Sequence, residues 1–160
     1  MLHLEEINES NIWEILKLTV HDDQSRFVAT NAVSLAEAYS LRNSDAKVFP
    51  FGVYAGDLPV GFIMISYGRA ASWDSGLTIA RNNYGILRVL IGKEHQHLGY
   101  GKKAVELAIE FIKSSPFGDA EVCWISYGAE NTAARRLYSS FGFVEDDEMV
   151  GDEILATLKL

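Results

Sequence analysis

"LRVLIGKEHQHLGYGKKAVELAIEFIK", residues 87 to 113, passes from a leucine- and valine-rich run through a charged loop and two close glycines into an apolar helical pattern. Val105, Ala108, Ile109 and Ile112 recur at helical spacing, with Leu107 and Phe111 widening the stripe, so a substantially buried helix ending near Pro116 is expected. The preceding "YGILRVLI", 84 to 91, reads as a strand. Gly99 and Gly101 cost backbone entropy on folding, which suggests that something must approach the main chain closely there. Free N–H groups at a helix start carry partial positive charge, and glycines let them close around phosphate oxygens. Residues 96 to 101, "QHLGYG", are positioned to do this; a plain tight loop before a helix is the alternative.

Spacing tests two nucleotide-binding patterns. A Walker A loop fails, because Lys103 follows Gly101-Lys102 where Ser or Thr is required, and Gln96 takes the place of the first glycine. The dinucleotide fingerprint is formally met by Gly99, Gly101 and Ala104. In that fold, however, the glycines follow the strand almost at once; here "GKEHQHL" intervenes, and what remains is too short for a doubly wound domain.

Working outward, "EVCWISY" at 121 to 127 is a second strand. "NTAARRLYSSFGF" then places Asn131 at a helix N-cap and Gly142 just past the helix end. "FVEDDEMV" and "EILATLKL" close the chain as strands around Gly151-Asp152. Upstream, Leu2, Leu4 and Ile7 mark a first strand, and Ser10 or Asn11 caps a helix carrying Ile12, Ile15, Leu16 and Val20 that ends near His21. Ser34 with Glu37 reads as a capping box for a helix over about 35 to 43. "VFPFGVYAGDLPVGFIMISY" reads as a hairpin around Gly56 and Asp57, and residues 68 to 83 mainly as a loop. The expected class is α/β (α+β) with a mixed sheet.

Composition sets the bounds. A chain of 160 residues, 48% of them hydrophobic, without repeat or linker, suggests a single domain over 1–160. The net charge of -8 argues against nucleic acid and would tolerate a cationic substrate. No apolar run reaches the roughly 18 residues that span a bilayer, and "MLHLEEINES" has no signal-peptide pattern, so no membrane partner and a cytoplasmic location are expected. The lone Cys123, inside "VCWI", suits packing; it forms no internal disulfide and builds no thiol metal cluster.

The two segments together resemble the GNAT superfamily of acetyl-CoA-dependent N-acetyltransferases. Gln96, Gly99 and Gly101 occupy its strand, Q/R-x-x-G-x-G/A, helix signature, and Asn131, Ala134, Leu137, Tyr138, Gly142 and Phe143 match its second motif. The resemblance implies a mostly antiparallel central sheet flanked by helices, and acetyl-CoA as cosubstrate with no metal. It puts the pantetheine arm against Val89, Leu90 and Ile91, and the diphosphate on Gln96, His97, Leu98, Gly99, Tyr100, Gly101 and Lys102. Asn131 would contact the cofactor, cap the helix, or both. His97 replaces a glycine common in relatives, and an ordinary residue with helical-loop geometry is expected to fill that position; His95 and His97 flank the phosphate loop, away from the thioester.

Tyr138 resembles the family's general acid, whose hydroxyl protonates the leaving thiolate. The strand carries no carboxylate, so proton removal through water is preferred, with Glu37, Asp74, Tyr84 and Glu130 as candidates to hold that water or the substrate cation. "DDQSRFVATNAVSLAEAY" is similar to bacterial spermine/spermidine acetyltransferases at Gln24, Phe27, Val28, Asn31 and the residues around Glu37, which implies a polyamine or other small-molecule amine acceptor. A protein N-terminus or lysine as acceptor, and a non-catalytic acyl-CoA-binding module, stay open. So does a homodimer, by analogy with the superfamily.

Overall fold

The computed structural model describes residues 1–73 and 77–160. The elements run β1 (Leu2–Glu6), α1 (Ile12–Lys17), α2 (Asn31–Ser40), β2 (Lys47–Ala55), β3 (Leu58–Tyr67), β4 (Tyr84–Ile91), α3 (Tyr100–Lys113), β5 (Val122–Gly128), α4 (Thr132–Ser139), β6 (Val144–Val150) and β7 (Glu153–Lys159). One seven-stranded sheet has the order β1-β2-β3-β4-β5-β7-β6. Every neighbouring pair is antiparallel except β4 with β5. Among the described residues no helix is long and apolar enough to cross a membrane.

Strand alternation divides the core between two faces of the sheet. Ile63 and Ile65 of β3 join the cluster containing Val105, Ala108 and Ile112 of α3. Their neighbours Phe62 and Met64 pack with Ile15 of α1, and Leu35 of α2 lies against that cluster. α3 therefore covers one face and α1 with α2 the other, as the long helical stripe requires.

The feature that positions the site is the junction of β4 and β5. The strands pair only at their starts, Tyr84 opposite Cys123 and Gly85 opposite Trp124, and then separate. Glycine at 85 permits the close approach, because a Cβ there would run into the Trp124 indole. Beyond Gly85, β4 has β3 on one edge and no strand on the other. β4 also carries an extra residue: Met64 pairs with Arg88 and Ile65 with Ile86, leaving Leu87 as a bulge at the point of divergence.

Two helix boundaries differ from the sequence reading. α1 stops at Lys17 rather than near His21, because Leu18 is already extended and the Thr19 carbonyl accepts from the Lys93 N–H (2.8 Å). α2 starts at Asn31, not at 35. Its cap is Thr30, whose side chain accepts from the Val33 N–H, while Asn31 Nδ2 donates to the Ile15 carbonyl (2.8 Å) and ties the helix start to α1. Ser34, the expected cap, is buried inside the helix. The described residues within 68–83 are largely loop, with a 3-10 turn at Thr78–Ala80.

Candidate active site

The divergence of β4 from β5 opens a cleft of about 830 Å³. It is walled by β4 from Ile86 to Ile91, the first turn of α3, the segment around Gln24–Ala29, and Ser126, Asn131 and Tyr138 from β5 and α4.

At one end lies the glycine loop. The first main-chain bond of α3 is Lys103 N–H to the Gly99 carbonyl (3.1 Å), so the N–H groups of Tyr100, Gly101 and Lys102 precede the intrahelical ladder. Gly99 has φ 81, a left-handed geometry that favours glycine. Gly101 needs a different explanation. Its φ is not positive, and an added Cβ would meet only Ile91 Cγ1 at 3.7 Å, an ordinary contact. The protein itself leaves room for a side chain there, on the wall of the cleft. A diphosphate fits this end: bare helix N–H groups, glycines, and Lys102 on the wall.

His97 departs from expectation. It sits at φ 64, in the left-handed region rather than in helical-loop geometry, which explains why glycine suits that position. Both His95 and His97 line the cleft at this end. Leu98 turns outward, 63% exposed, and is not on the cleft wall. Gln96 spends its side chain on the fold: it donates to the Ile91 carbonyl (3.0 Å) and exchanges two amide hydrogen bonds with Gln24 (2.8 and 3.0 Å). These bonds fasten the loop to the end of β4 and to the segment across the cleft.

Val89, Leu90 and Ile91 all border the cleft. The Leu90 side chain belongs to the core on the α1 and α2 face, so its main chain is what the cleft can use. Asn131 caps α4, its Oδ1 accepting from the Ala134 N–H (3.1 Å), and stands on the cleft wall, so one residue can serve both expected roles.

Tyr138 faces the cleft from α4 while only 8% exposed. Its ring stacks on Tyr127 (5.8 Å, 21°) and meets Phe143 edge-on (5.7 Å). Tyr127 is held in turn, donating to Glu145 Oε1 (2.9 Å), with Arg135 on the other oxygen (2.6 Å). Burial, then the Glu145 contact, pushes Tyr127 up to about 12, and the same hydrogen bonds hold Glu145 below the usual carboxylate range. Burial also pushes the Tyr138 hydroxyl well above the ordinary tyrosine value, so it stays protonated at physiological pH.

Two polar residues of the cleft wall escaped the sequence reading. Ser126 Oγ donates to Glu153 Oε2 (2.6 Å), and both line the cleft. Among the described residues on that wall Glu153 is the one carboxylate. Here the cleft shares Leu87, Arg88, Ser126 and Glu153 with a second pocket of about 210 Å³, bounded otherwise by Trp73, Leu77, Trp124 and Val150. The signal available was faint: a serine in the middle of one strand and an acid after a Gly-Asp turn.

Of the acceptor-side candidates read from sequence, Tyr84, Glu37 and Glu130 each bond to a group of the protein itself. Tyr84 is fully buried at the closed end of the β4–β5 pair, its hydroxyl donating to the Gly118 carbonyl (3.0 Å) and accepting from the Phe117 N–H (3.1 Å). Glu37 is ion-paired with Arg88 (2.9 Å) and is absent from the cleft wall. Glu130 pairs with Arg26 (3.1 Å), both largely exposed. Asp74 lies outside the described residues.

The family model described as Acetyltransferase (GNAT) family matches residues 5–143. No curated protein matches the chain. Solved structures similar to it include aminoglycoside acetyltransferase AAC(6')-Ib in complex with coenzyme A (16% identity, 99% of this chain and 95% of that one, TM-score 0.78). The PaiA N-acetyltransferase from Thermoplasma acidophilum in complex with coenzyme A aligns at 14% identity over 100% and 99% of the two chains, with a TM-score of 0.66. An acetyltransferase from Thermus thermophilus gives 15% identity over 100% and 97%, with a TM-score of 0.67. At such identities the structural likeness speaks for the fold. With the splayed strands and bare helix start described and most of its length matched, the chain belongs to the GNAT acetyltransferase family, enzymes that take acetyl-CoA as donor.

Proposed function

We propose that the chain transfers acetyl from acetyl-CoA to a primary amine of a small molecule, with Tyr138 as proton donor and the Glu153–Ser126 pair receiving the amine. The observation that carries this reading is the junction itself. The cleft that suits the cofactor and the smaller pocket meet at Leu87, Arg88, Ser126 and Glu153, where Glu37 already balances the charge of Arg88, with Tyr138 on the cleft wall.

Acetyl-CoA supplies a thioester whose acyl carbon an amine can attack. The amine must first be neutral. The β4 strand carries no acid, whereas Glu153 can hold the incoming ammonium and accept its proton, directly or through a water on Ser126. The bulged main chain of β4 at Leu87 stands at the same place. Tyr138 makes no hydrogen bond to the protein among the described residues, which leaves its hydroxyl available to the departing sulfur. A raised tyrosine pKa makes it a weaker acid, while desolvation in the same cleft also raises the proton affinity of a thiolate, so both groups shift in the same direction.

A polyamine is the acceptor that the sequence resemblance supports, and the net charge of -8 favours cations at modest salt. A structural neighbour, aminoglycoside acetyltransferase AAC(6')-Ib, was crystallised with coenzyme A and kanamycin, so aminoglycosides belong among the acceptors to be tried. The experiment is thiol release from acetyl-CoA with a panel of polyamines, aminoglycosides, amino acids and arylalkylamines, and with peptides alongside. Turnover with a small amine supports the proposal. Turnover confined to peptides, or CoA binding without turnover on any acceptor, refutes it.

A further inference from the structure

Resting on the cofactor's placement in the main cleft, we infer that residues 24–29 form a strap across it that confines the pantetheine arm, with Gln24 and Arg26 as the positioning residues that fasten the strap to opposite sides. The two sides are the ends of the splayed strands. β4 ends at Ile91, whose carbonyl accepts from Gln96 Nε2 (3.0 Å), so Gln96 belongs to the β4 side. β5 ends at Gly128, and the Asn131 N–H closes a turn onto the Gly128 carbonyl (2.9 Å), which keeps Glu130 on the β5 side. Gln24 exchanges two amide hydrogen bonds with Gln96 (2.8 and 3.0 Å), and Arg26 pairs with Glu130 (3.1 Å). One segment is thus tied to both edges of the gap, and the whole run 24–29 lines the cleft between them. The two residues from Gln24 to Arg26 cover at most about 7 Å of main chain, so long side chains complete the crossing at either end.

The two fastenings differ in strength. Gln24 is half-buried, and its Oε1 accepts from the His21 N–H (3.2 Å) as well as from Gln96, so the β4 end is held by several bonds at once. Downstream, Val28 packs against the cluster of Ile15, which anchors the strap to the core. Arg26 and Glu130, by contrast, are 66% and 74% exposed at their side chains. An exposed ion pair of this kind is weak and screened by salt. The β4 end is therefore the hinge and the Arg26 end the catch. A catch that opens easily suits a site that must exchange coenzyme A for acetyl-CoA in every turnover. The pantetheine arm is uncharged and flexible, so the ion pair acts on it by confinement rather than by a bond: while the catch is closed, the arm has less room to leave.

Displacement of etheno-adenine coenzyme A by excess coenzyme A, followed by stopped-flow fluorescence on the full chain, reads the release rate without any acceptor. Arg26→Glu and Glu130→Arg each replace attraction by repulsion and should speed release about threefold or more. Together they restore an opposite pair, so the double variant should release more slowly than either single variant. Gln24→Ala removes both amide bonds to Gln96 and should speed release by roughly tenfold. Unchanged release in the single charge variants, or in Gln24→Ala, overturns the inference. A double variant that releases as fast as either single one also overturns it, because Arg26 then acts on the cofactor phosphates directly and not through Glu130. A failed amine panel leaves this readout untouched, and Gly101→Ala tests separately whether coenzyme A occupies the cleft.

Discussion

Gly101→Ala separates what a residue does for the protein from what it does for the ligand. The added methyl meets only Ile91 Cγ1 at 3.7 Å, and Gly101 has ordinary helical geometry in the first turn of α3. Alanine in a helix is favoured over glycine by up to about 1 kcal/mol. For a chain of this size that is a rise in Tm of roughly 2–4 °C. The ligand sees the opposite. If the diphosphate lies on the N–H groups of residues 100–102, the methyl pushes one phosphate oxygen off its donor, and a hydrogen bond to a charged group is worth about 1.5–3 kcal/mol. Since about 1.4 kcal/mol is tenfold in affinity, the Kd for coenzyme A should rise by roughly 10- to 100-fold. Thermal unfolding without ligand and calorimetric titration with coenzyme A read the two effects separately. Unchanged affinity would show that this glycine does not face the phosphates, and a fall in the ligand-free Tm would show that the local packing was misjudged.

Other perturbations test neighbouring parts of the account. His97→Gly relieves a left-handed residue whose backbone costs about 1–2 kcal/mol, partly offset by the entropy of glycine, so ligand-free stability should rise by up to about 1 kcal/mol in a denaturant titration. Glu145 is held below its usual range by Arg135 and Tyr127, so its stabilising effect is present above the unfolded value near 4.5 and fades as pH falls through the lower folded value. Glu145→Gln should therefore flatten the acid limb of a Tm-against-pH curve. Tyr127, pushed up to about 12, acts at the other end: stability falls between about pH 10 and 12 in the native chain, and less steeply in Tyr127→Phe.

The parts of the site that were legible in the sequence are those held by short-range rules. Gly99 and Gly101 sit next to the helix that needs them, and Asn131, Tyr138 and Gly142 share one helix and its ends. What escaped depends on partners distant along the chain. Ser34 with Glu37 looked like a cap, but Thr30 won because the Asn31 amide reaches the Ile15 carbonyl sixteen residues away. Glu153 reaches the cleft wall only through the pairing of β7 with β5, which brings it to Ser126. The placement of Tyr84 turns on direction: it stands where β4 and β5 meet, and the cleft opens where they part. The amide pair of Gln24 and Gln96 spans 72 residues and has no local signature.

The most direct test of the account is a single-turnover comparison of the native chain with Tyr138→Phe at saturating acetyl-CoA and a productive amine. The ring and its packing on Tyr127 and Phe143 are retained in phenylalanine, so the variant removes the hydroxyl alone. A positioned proton donor is worth roughly 10²- to 10⁴-fold in rate. The account predicts a loss of acetyl transfer in that range with coenzyme A affinity unchanged. Full transfer by Tyr138→Phe would contradict it.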